Sequence, residues 1–225
     1  MAKREPAGEG SGSGLHRLPP GRHGLAREFV VKNQRDRLTA GMIAAVAEHG
    51  YNDVTISQVA AAAGVSRRTF YTYFSSKEEC FLATYDVIAM HLLESARAAA
   101  EPHEEWPERV SAKIAAVLET FAANPDLVRF YLIAPPRAGN EIAERSVLSA
   151  RRILAELTHE TPDDARKPSE AVEKALVGGM ASLVARKVEA GEGERLPDLL
   201  PDLVELFLAP YLGREAAAQV ARDSS

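Results

Sequence analysis

The chain has 225 residues, 46% of them hydrophobic, which is enough for one large domain or for a small domain joined to a larger one. Its single cysteine, Cys80, excludes an intrachain disulfide and a multi-thiolate metal site, and we expect a packed, reduced thiol. No apolar run approaches the roughly 18 residues that a membrane helix needs, and the first 14 residues lack the apolar segment of a secretory signal. We therefore expect a cytoplasmic protein that does not enter a membrane.

The charge is divided unevenly along the chain. Residues 15–77 contain nine Lys and Arg and four acidic residues, a net charge of +5. Residues 78–225 contain 16 Lys and Arg and 26 acidic residues, a net charge of -10. A basic amino-terminal module on an acidic body can bind a polyanion although the whole chain is acidic.

Apolar residues recur at helical spacing through almost all of the chain, and no segment shows the alternation of a strand. The pattern predicts an all-α protein of about nine helices, with three short or medium ones in front of a larger bundle. The predicted ranges are 27–49, 55–63, 66–74, 76–100, 106–122, 125–134, 138–159, 169–190 and 198–209.

The second and third predicted helices are joined by the segment AAAGVS. The alanines at 60–63 have little side-chain bulk, so another helix can approach closely, and Gly64 supplies a turn conformation that other residues resist. This arrangement is typical of a helix-turn-helix, whose second helix presents its amino-terminal residues to base edges in the major groove. In this chain those residues are Ser66, Arg67, Arg68 and Thr69.

The third predicted helix carries both cationic and aromatic side chains. An arginine can bind guanine through two hydrogen bonds, and a helix amino terminus favours phosphate. Phe70 and Phe74 lie four residues apart and should face the core of the small module. Tyr71 and Tyr73 carry hydroxyls that can reach phosphates, and Lys77 can neutralise another backbone charge.

One spaced set of residues resembles the DNA-binding signature of the TetR family of bacterial transcriptional regulators. The set consists of Gly50-Tyr51, Thr55-Ile56, Val59-Ala60, Ala63-Gly64-Val65-Ser66, Phe70-Tyr71-Thr72-Tyr73-Phe74 and Lys77-Glu78-Glu79. The resemblance covers about residues 28–85. It implies a homodimer that reads a palindromic operator in double-stranded DNA, and a helical carboxy-terminal domain that holds a small-molecule effector of unknown identity. The implied divisions are an amino-terminal arm at 1–24, a helix-turn-helix domain at 25–75 and an effector-binding and dimerisation domain at 76–225.

The resemblance also implies roles for individual residues. It assigns Ser57, Arg67, Arg68, Thr69 and Thr72 to bases or their vicinity, and Thr55, Ser66, Tyr71, Tyr73 and Lys77 to phosphates. Where this chain has Arg68 the family often has a small residue or proline, and where it has Phe70 the family often has leucine. Arg68 therefore either reads a base that a small residue cannot reach or lies along a phosphate. A solvated face without a specific contact is the alternative for both arginines.

The segment LHRLPPGRHGLAREFV at 15–30 precedes the first predicted helix. A narrow, A/T-rich minor groove attracts an arginine-bearing arm. We therefore expect Arg17 or Arg22 to enter the minor groove beside the half-site. A disordered basic leader with only diffuse attraction to DNA is the alternative.

Two late segments carry apolar stripes that indicate an interface. Similar helices in the family pair with those of a second subunit into a four-helix bundle. The candidates are Val172, Leu176, Gly179 and Leu183 in the first segment, and Leu199, Leu203, Val204 and Phe207 in the second. The alternative is that both segments pack into the core of their own subunit.

By the same resemblance, an effector pocket is expected between the helices that span about 85–160. Its candidate residues are Tyr85, Met90, His91, Trp106, Phe121, Phe130, Tyr131 and Arg137, each of which is equally compatible with ordinary core or surface. No charged cluster dominates the apolar face of these helices, which favours a largely apolar effector.

The sequence contains no nucleophile elbow, phosphate-binding loop, dinucleotide fingerprint or zinc-protease motif. We therefore expect no catalytic residue, no cofactor and no metal site, and an all-α enzyme is the weakest interpretation. The preferred hypothesis is a repressor that a small molecule releases from its operator. A DNA-binding regulator without an effector, or an activator, remains the alternative.

Overall fold

The computed structural model describes residues 27–224, with the side chains of 33–136 and 138–224. Within this part of the chain all regular structure is helical. The α-helices are α1 (Arg27–His49), α2 (Ile56–Ala62), α3 (Arg67–Tyr73), α4 (Lys77–Ala100), α5 (Trp106–Ala123), α6 (Pro125–Val128), α7 (Asn140–Thr158), α8 (Glu170–Glu189), α9 (Leu200–Leu212) and α10 (Arg214–Asp223). A π turn (Arg129–Ile133) and a 3-10 turn (Pro135–Arg137) connect α6 to α7, and a 3-10 segment (Gly193–Leu199) precedes α9.

Polar caps fix where the first helices begin. Thr55 and Gln58 form a reciprocal capping box at the start of α2. The hydroxyls of Ser66 and Ser76 each accept a hydrogen bond of 3.0 Å from the backbone N–H three residues on, at Thr69 and Glu79. The sequence therefore placed these helices to within one or two residues.

The structure adds a carboxy-terminal helix that the sequence analysis missed. α9 continues to Leu212, and Gly213, with a φ of 86°, turns the chain into α10. Ala217 and Ala221 of α10 are buried, and α10 packs along α9. The predicted bundle of about nine helices therefore lacked one helix at its carboxy-terminal end. The alanine-rich run at 216–221 could have indicated this helix, because alanine favours helical structure.

The hydrophobic core is continuous from the amino-terminal helices into the body. It includes Leu38 and Phe70 at one end and Phe130 and Phe207 at the other, all without exposed surface. Because α4 packs against α1 and also against α5, it connects the two parts mechanically. The boundary between residues 75 and 76 thus falls just before a shared helix, and the division into domains stays a prediction.

Gly41 of α1 is where α1 and α2 come closest. A Cβ atom on Gly41 would lie 2.6 Å from the Ala63 backbone nitrogen and 2.8 Å from the Val59 carbonyl oxygen. Neither backbone atom can move aside cheaply, so only glycine permits this approach. The sequence analysis recognised the small residues of α2 but not this partner on α1.

No helix among the described residues has the length and apolar character to span a membrane.

Candidate DNA-reading surface and effector cavity

The third helix exposes its cationic side and buries its aromatic side. Arg67, Arg68, Tyr71 and Thr72 are exposed, whereas Thr69 and Tyr73 are half-buried. Phe70 and Phe74 are buried in the hydrophobic core, as predicted. Thr55 and Ser57 add exposed hydroxyls at the start of α2. The structure therefore exposes Ser57, Arg67 and Arg68, whereas the hydroxyls of Thr69 and Thr72 are hydrogen-bonded to Ser66 and to the Arg68 carbonyl oxygen.

Arg37 of α1 holds the turn between α2 and α3. Its Nη2 atom donates a hydrogen bond of 2.6 Å to the Gly64 carbonyl oxygen. Gly64 has a φ of 62°, and a Cβ atom there would lie 2.6 Å from the same Nη2 atom. The backbone conformation requires glycine here, whereas a Cβ atom would only displace the flexible end of the Arg37 side chain. No sequence pattern indicated this contact, since Arg37 is one of several basic residues on α1.

Lys77 makes contacts that the sequence analysis did not expect. Its Nζ atom donates to the carbonyl oxygens of Tyr51 at 2.7 Å, Val54 at 3.0 Å and Asn52 at 3.4 Å. It also lies 4.5 Å from the centre of the Tyr51 ring. Burial lowers the pKa of Lys77, and the carboxylate of Asp53 acts in the opposite direction. These contacts indicate a clamp on the α1–α2 loop, and the phosphate contact expected for Lys77 stays a prediction.

Three predicted site residues cannot be placed. Arg17 and Arg22 lie outside the described residues. The backbone of Arg137 belongs to the 3-10 turn after the π turn, but its side chain is likewise outside the described part. The minor-groove arm therefore remains a prediction from sequence.

The body contains a partly open apolar cavity of about 110 Å³ between α4, α5, α7 and α8. Two of the predicted candidates, Phe121 and Tyr131, line it. Helix α8 contributes Val177, Met180 and Val184, which the sequence analysis missed because it confined the pocket to residues 85–160. The side chains that separate these helices are almost all aliphatic or aromatic, which suits an apolar molecule.

An open pocket of about 480 Å³ adjoins this cavity and shares part of its wall, including Tyr131 and Ile153. Its lining adds the hydroxyl-bearing side chains of Tyr85, Ser146, Ser149 and Ser182. The Tyr131 hydroxyl is hydrogen-bonded to the Ser149 hydroxyl. Burial raises the pKa of Tyr131 despite this bond, so its phenol is neutral at physiological pH. The two spaces together offer an apolar interior behind a hydrogen-bonding entrance.

A buried ion pair closes one end of the apolar cavity. Lys113, only 4% exposed, donates to the Glu156 carbonyl oxygen at 2.7 Å and approaches the Glu156 Oε1 atom at 3.0 Å. Arg97 donates to the other carboxylate oxygen at 2.7 Å. Burial would raise the pKa of Glu156, but the hydrogen bonds from Arg97 and Lys113 outweigh it and leave that pKa below its usual value. The sequence analysis found neither member of this pair.

The remaining effector candidates lie in three kinds of position: on the surface, in the packed core and beside the open pocket. Met90 and His91 are exposed on the outer side of α4 and line neither space. Phe130 is fully buried and stacks on Phe81 with ring centres 4.2 Å apart. Trp106 is also in the core, where its indole N–H donates to the Leu157 carbonyl oxygen at 2.9 Å. Of the other candidates, Tyr85 lines the open pocket.

The structure exposes some of the expected dimer residues and buries others. Val172 and Leu183 of α8 are exposed by 41% and 42%, and Gly179 and Leu199 are half-buried. Leu203, Val204 and Phe207 have at most 1% of their surface exposed, and Leu176 has 8%. These four are buried within their own subunit, as in the alternative interpretation, and a role for them in an interface stays a prediction. The outer face of α9 carries Leu206 instead, 37% exposed, which the sequence analysis did not select.

A family profile described as "Bacterial regulatory proteins, tetR family" matches residues 40–84. The HTH-type transcriptional regulator BetI of Rhizobium meliloti strain 1021 is 29% identical over 126 residues, 55% of this chain. That match spans 62% of the length of BetI. An uncharacterised HTH-type transcriptional regulator of Mycobacterium tuberculosis strain H37Rv is 29% identical over 197 residues, 81% of this chain and 86% of its own.

Solved structures with the same fold include regulators of several bacteria. FadR of Bacillus subtilis in complex with stearoyl-CoA superimposes with a TM-score of 0.69 at 16% identity, over 78% of this chain and 98% of FadR. A TetR-like regulator from Rhodococcus sp. RHA1 has a TM-score of 0.58 at 25% identity, over 76% of this chain and 92% of its own.

Proposed function

Because the chain belongs to the TetR family of bacterial transcriptional regulators, we propose that it is a repressor whose homodimer is released from a palindromic operator by a small molecule. The observation that carries this proposal is the pairing of two features in one chain. A capped third helix exposes Arg67 and Arg68, and the body behind it contains an apolar cavity. Since it acts on the bacterial chromosome, the protein would work in the cytoplasm.

On the DNA side, the amino-terminal end of α3 enters the major groove. Arg67 and Arg68 read base edges there, with Thr69, Thr72 and Ser57 close by, because arginine can bind guanine through two hydrogen bonds. Thr55, Ser66, Tyr71 and Tyr73 hold the flanking phosphates. The exposure of the two arginines supports this assignment, since neither has a protein partner among the described side chains.

On the effector side, the cavity accepts an apolar chain or ring, and the open pocket accepts a polar group that exchanges hydrogen bonds with hydroxyls. An uncharged or weakly polar amphiphile of this kind fits both spaces. FadR of Bacillus subtilis, which has a similar fold, was solved with stearoyl-CoA, a molecule with a long apolar chain. That likeness supports an apolar effector.

Helix α4 would carry the effect of the ligand to the DNA. Leu92, Leu93 and Ala96 of α4 line the cavity, and its amino terminus follows directly on α3. Asp86 of α4 also pairs with Arg145 of α7 at 2.5 Å. A ligand that binds better to the form in which the two α3 helices are wrongly spaced shifts the population away from DNA.

Two copies would pair through the outer faces of α8 and α9. Val172, Leu183 and Leu206 give this face its exposed apolar surface, and Gly178 and Gly179 leave room for close helix approach. A dimer is needed because the two half-sites of an operator lie about 34–36 Å apart and must be read together.

Selection of an operator from random double-stranded DNA, followed by gel-shift titration, tests the DNA-binding part. We expect a palindromic site and an affinity that falls steeply with salt. A chain that binds all sequences alike would overturn the proposal.

The effector part has an intrinsic reporter, because Trp106 is the only tryptophan and bonds to Leu157, which lines the cavity. Apolar ligands should change its fluorescence and release the operator. A ligand that changes the fluorescence but does not release the protein from the operator would indicate that the ligand regulates something other than DNA release. Operator-dependent transcription that rises when the protein is added would identify an activator.

A further inference from the structure

Aromatic rings form a contiguous path from the cavity to the α1–α2 loop. Tyr131, which lines both the cavity and the open pocket, stacks on Tyr85 of α4 with ring centres 4.3 Å apart. Its neighbour Phe130 stacks on Phe81, one turn earlier in α4, at 4.2 Å. Phe81 in turn meets Tyr51 edge to face at 4.9 Å. We call Tyr131, Tyr85, Phe130, Phe81 and Tyr51 the ring series.

The cavity end of the ring series lies in the π turn. The N–H of Ala134 donates to the Arg129 carbonyl oxygen, five residues back, at 2.9 Å. Such turns are rare and frequently lie at functional sites. A return of its hydrogen bonds to the ordinary α-helical register would rotate Phe130 and Tyr131 together. The π turn packs against α1, α4 and α8, so its rotation would shift residues in both parts of the molecule.

The other end of the ring series lies in the Lys77 clamp. Tyr51 receives the Lys77 ammonium on both its carbonyl oxygen and its ring face. The same ammonium holds the Val54 carbonyl oxygen, one residue before the Thr55 cap of α2. A displacement of the Tyr51 ring therefore changes how firmly α2 is fixed relative to α4.

We propose that the π turn is the sensor of cavity occupancy and that the ring series transmits its state to the Lys77 clamp. This inference rests on the proposed function and concerns its regulation. A ligand in the cavity displaces Tyr131, the turn rotates, and Phe130 pushes Phe81 against Tyr51. The clamp loosens and the helix-turn-helix loses its fixed angle to α4. Packed rings suit this role because a dense interior moves between discrete arrangements and does not deform smoothly.

The first test needs no ligand and compares two buried Phe→Leu variants. Phe130→Leu removes a ring of the series, whereas Phe207→Leu removes an equally buried ring of α9 outside it. Hydrogen exchange is followed at the Val54 amide, which donates to the Gly50 carbonyl oxygen at 3.1 Å, and at Ala217 in α10. We expect about fivefold faster exchange at Val54 relative to Ala217 in Phe130→Leu only. The same ratio in both variants would overturn the relay.

The second test uses octan-1-ol as probe, an apolar chain with one hydroxyl. Operator affinity is measured with and without it, and its binding is followed by Trp106 fluorescence. In the Phe81→Leu/Phe130→Leu variant we expect octan-1-ol to bind as in wild type while its effect on operator affinity falls to within about twofold of none. A variant that keeps the full wild-type effect contradicts the relay. Should wild type itself not respond, the proposed effector class fails, and the exchange experiment still decides the relay.

Discussion

The ammonium of Lys77 lies 4.5 Å from the centre of the Tyr51 ring and donates to the carbonyl oxygen of the same residue at 2.7 Å. One side chain at the start of α4 thus binds the loop that orients α2. The resemblance to known regulators instead assigns Lys77 to a DNA phosphate. A loop contact and a phosphate contact predict different effects of replacing Lys77.

Replacing Lys77 by methionine should destabilise the fold without changing the number of phosphate contacts. Because two short bonds to partly buried carbonyls are lost, we expect the free energy of unfolding to fall by about 1–3 kcal/mol in urea titrations. The salt dependence of operator binding should keep its slope. Lys174→Met, which removes an exposed i,i+4 pair with Glu170, is the control and should change stability little. A slope reduced by about one unit would restore the phosphate role.

Replacing Arg68 by alanine should relax base preference at one position of each half-site. A bidentate contact to guanine is worth about 1–3 kcal/mol of discrimination, so selection from random DNA should lose one specified base pair. Arg214→Ala, an exposed arginine of α10, should leave the selected site unchanged. If Arg68→Ala instead weakens all sequences equally, the arginine lies along a phosphate.

Charges on the outer face of α8 and α9 should prevent dimerisation. We expect Leu183→Asp and Leu206→Asp to sediment as monomers and to lose at least about tenfold in operator affinity, because burying an unpaired carboxylate in an interface is costly. Val147→Asp places the same charge on an exposed apolar position of α7 and should remain dimeric. Dimers in all three variants would locate the interface elsewhere.

The ion pair at the end of the cavity should make stability depend on pH in the acid range. The folded state holds the pKa of Glu156 below its usual value of about 4.5, so its contribution is complete above that pH and is lost as the pH falls through the folded-state pKa. Wild type should therefore lose more unfolding free energy between pH 5 and pH 3 than Glu156→Gln does. The variant should already be less stable at neutral pH because Lys113 keeps only a neutral partner. Parallel pH profiles for the two proteins would contradict this assignment.

The helix-turn-helix could be predicted from the sequence because its determinants are local. The caps at Thr55 and Ser66, the glycine at 64 and the spacing of Phe70 and Phe74 act within a few residues of each other.

The effector site and the dimer face depended on the packing of distant segments. An apolar stripe such as that of α9 looks the same in sequence whether it meets its own subunit or a second one, and only the tertiary structure placed Phe207 in the core and Leu206 outside. In the same way Lys113 and Glu156 are 43 residues apart, and Lys77 reaches a loop 26 residues upstream. Local chemistry therefore determined the helices and the DNA-reading surface, while long-range contacts decided which side chains line the cavity, clamp the loop and remain exposed for a partner.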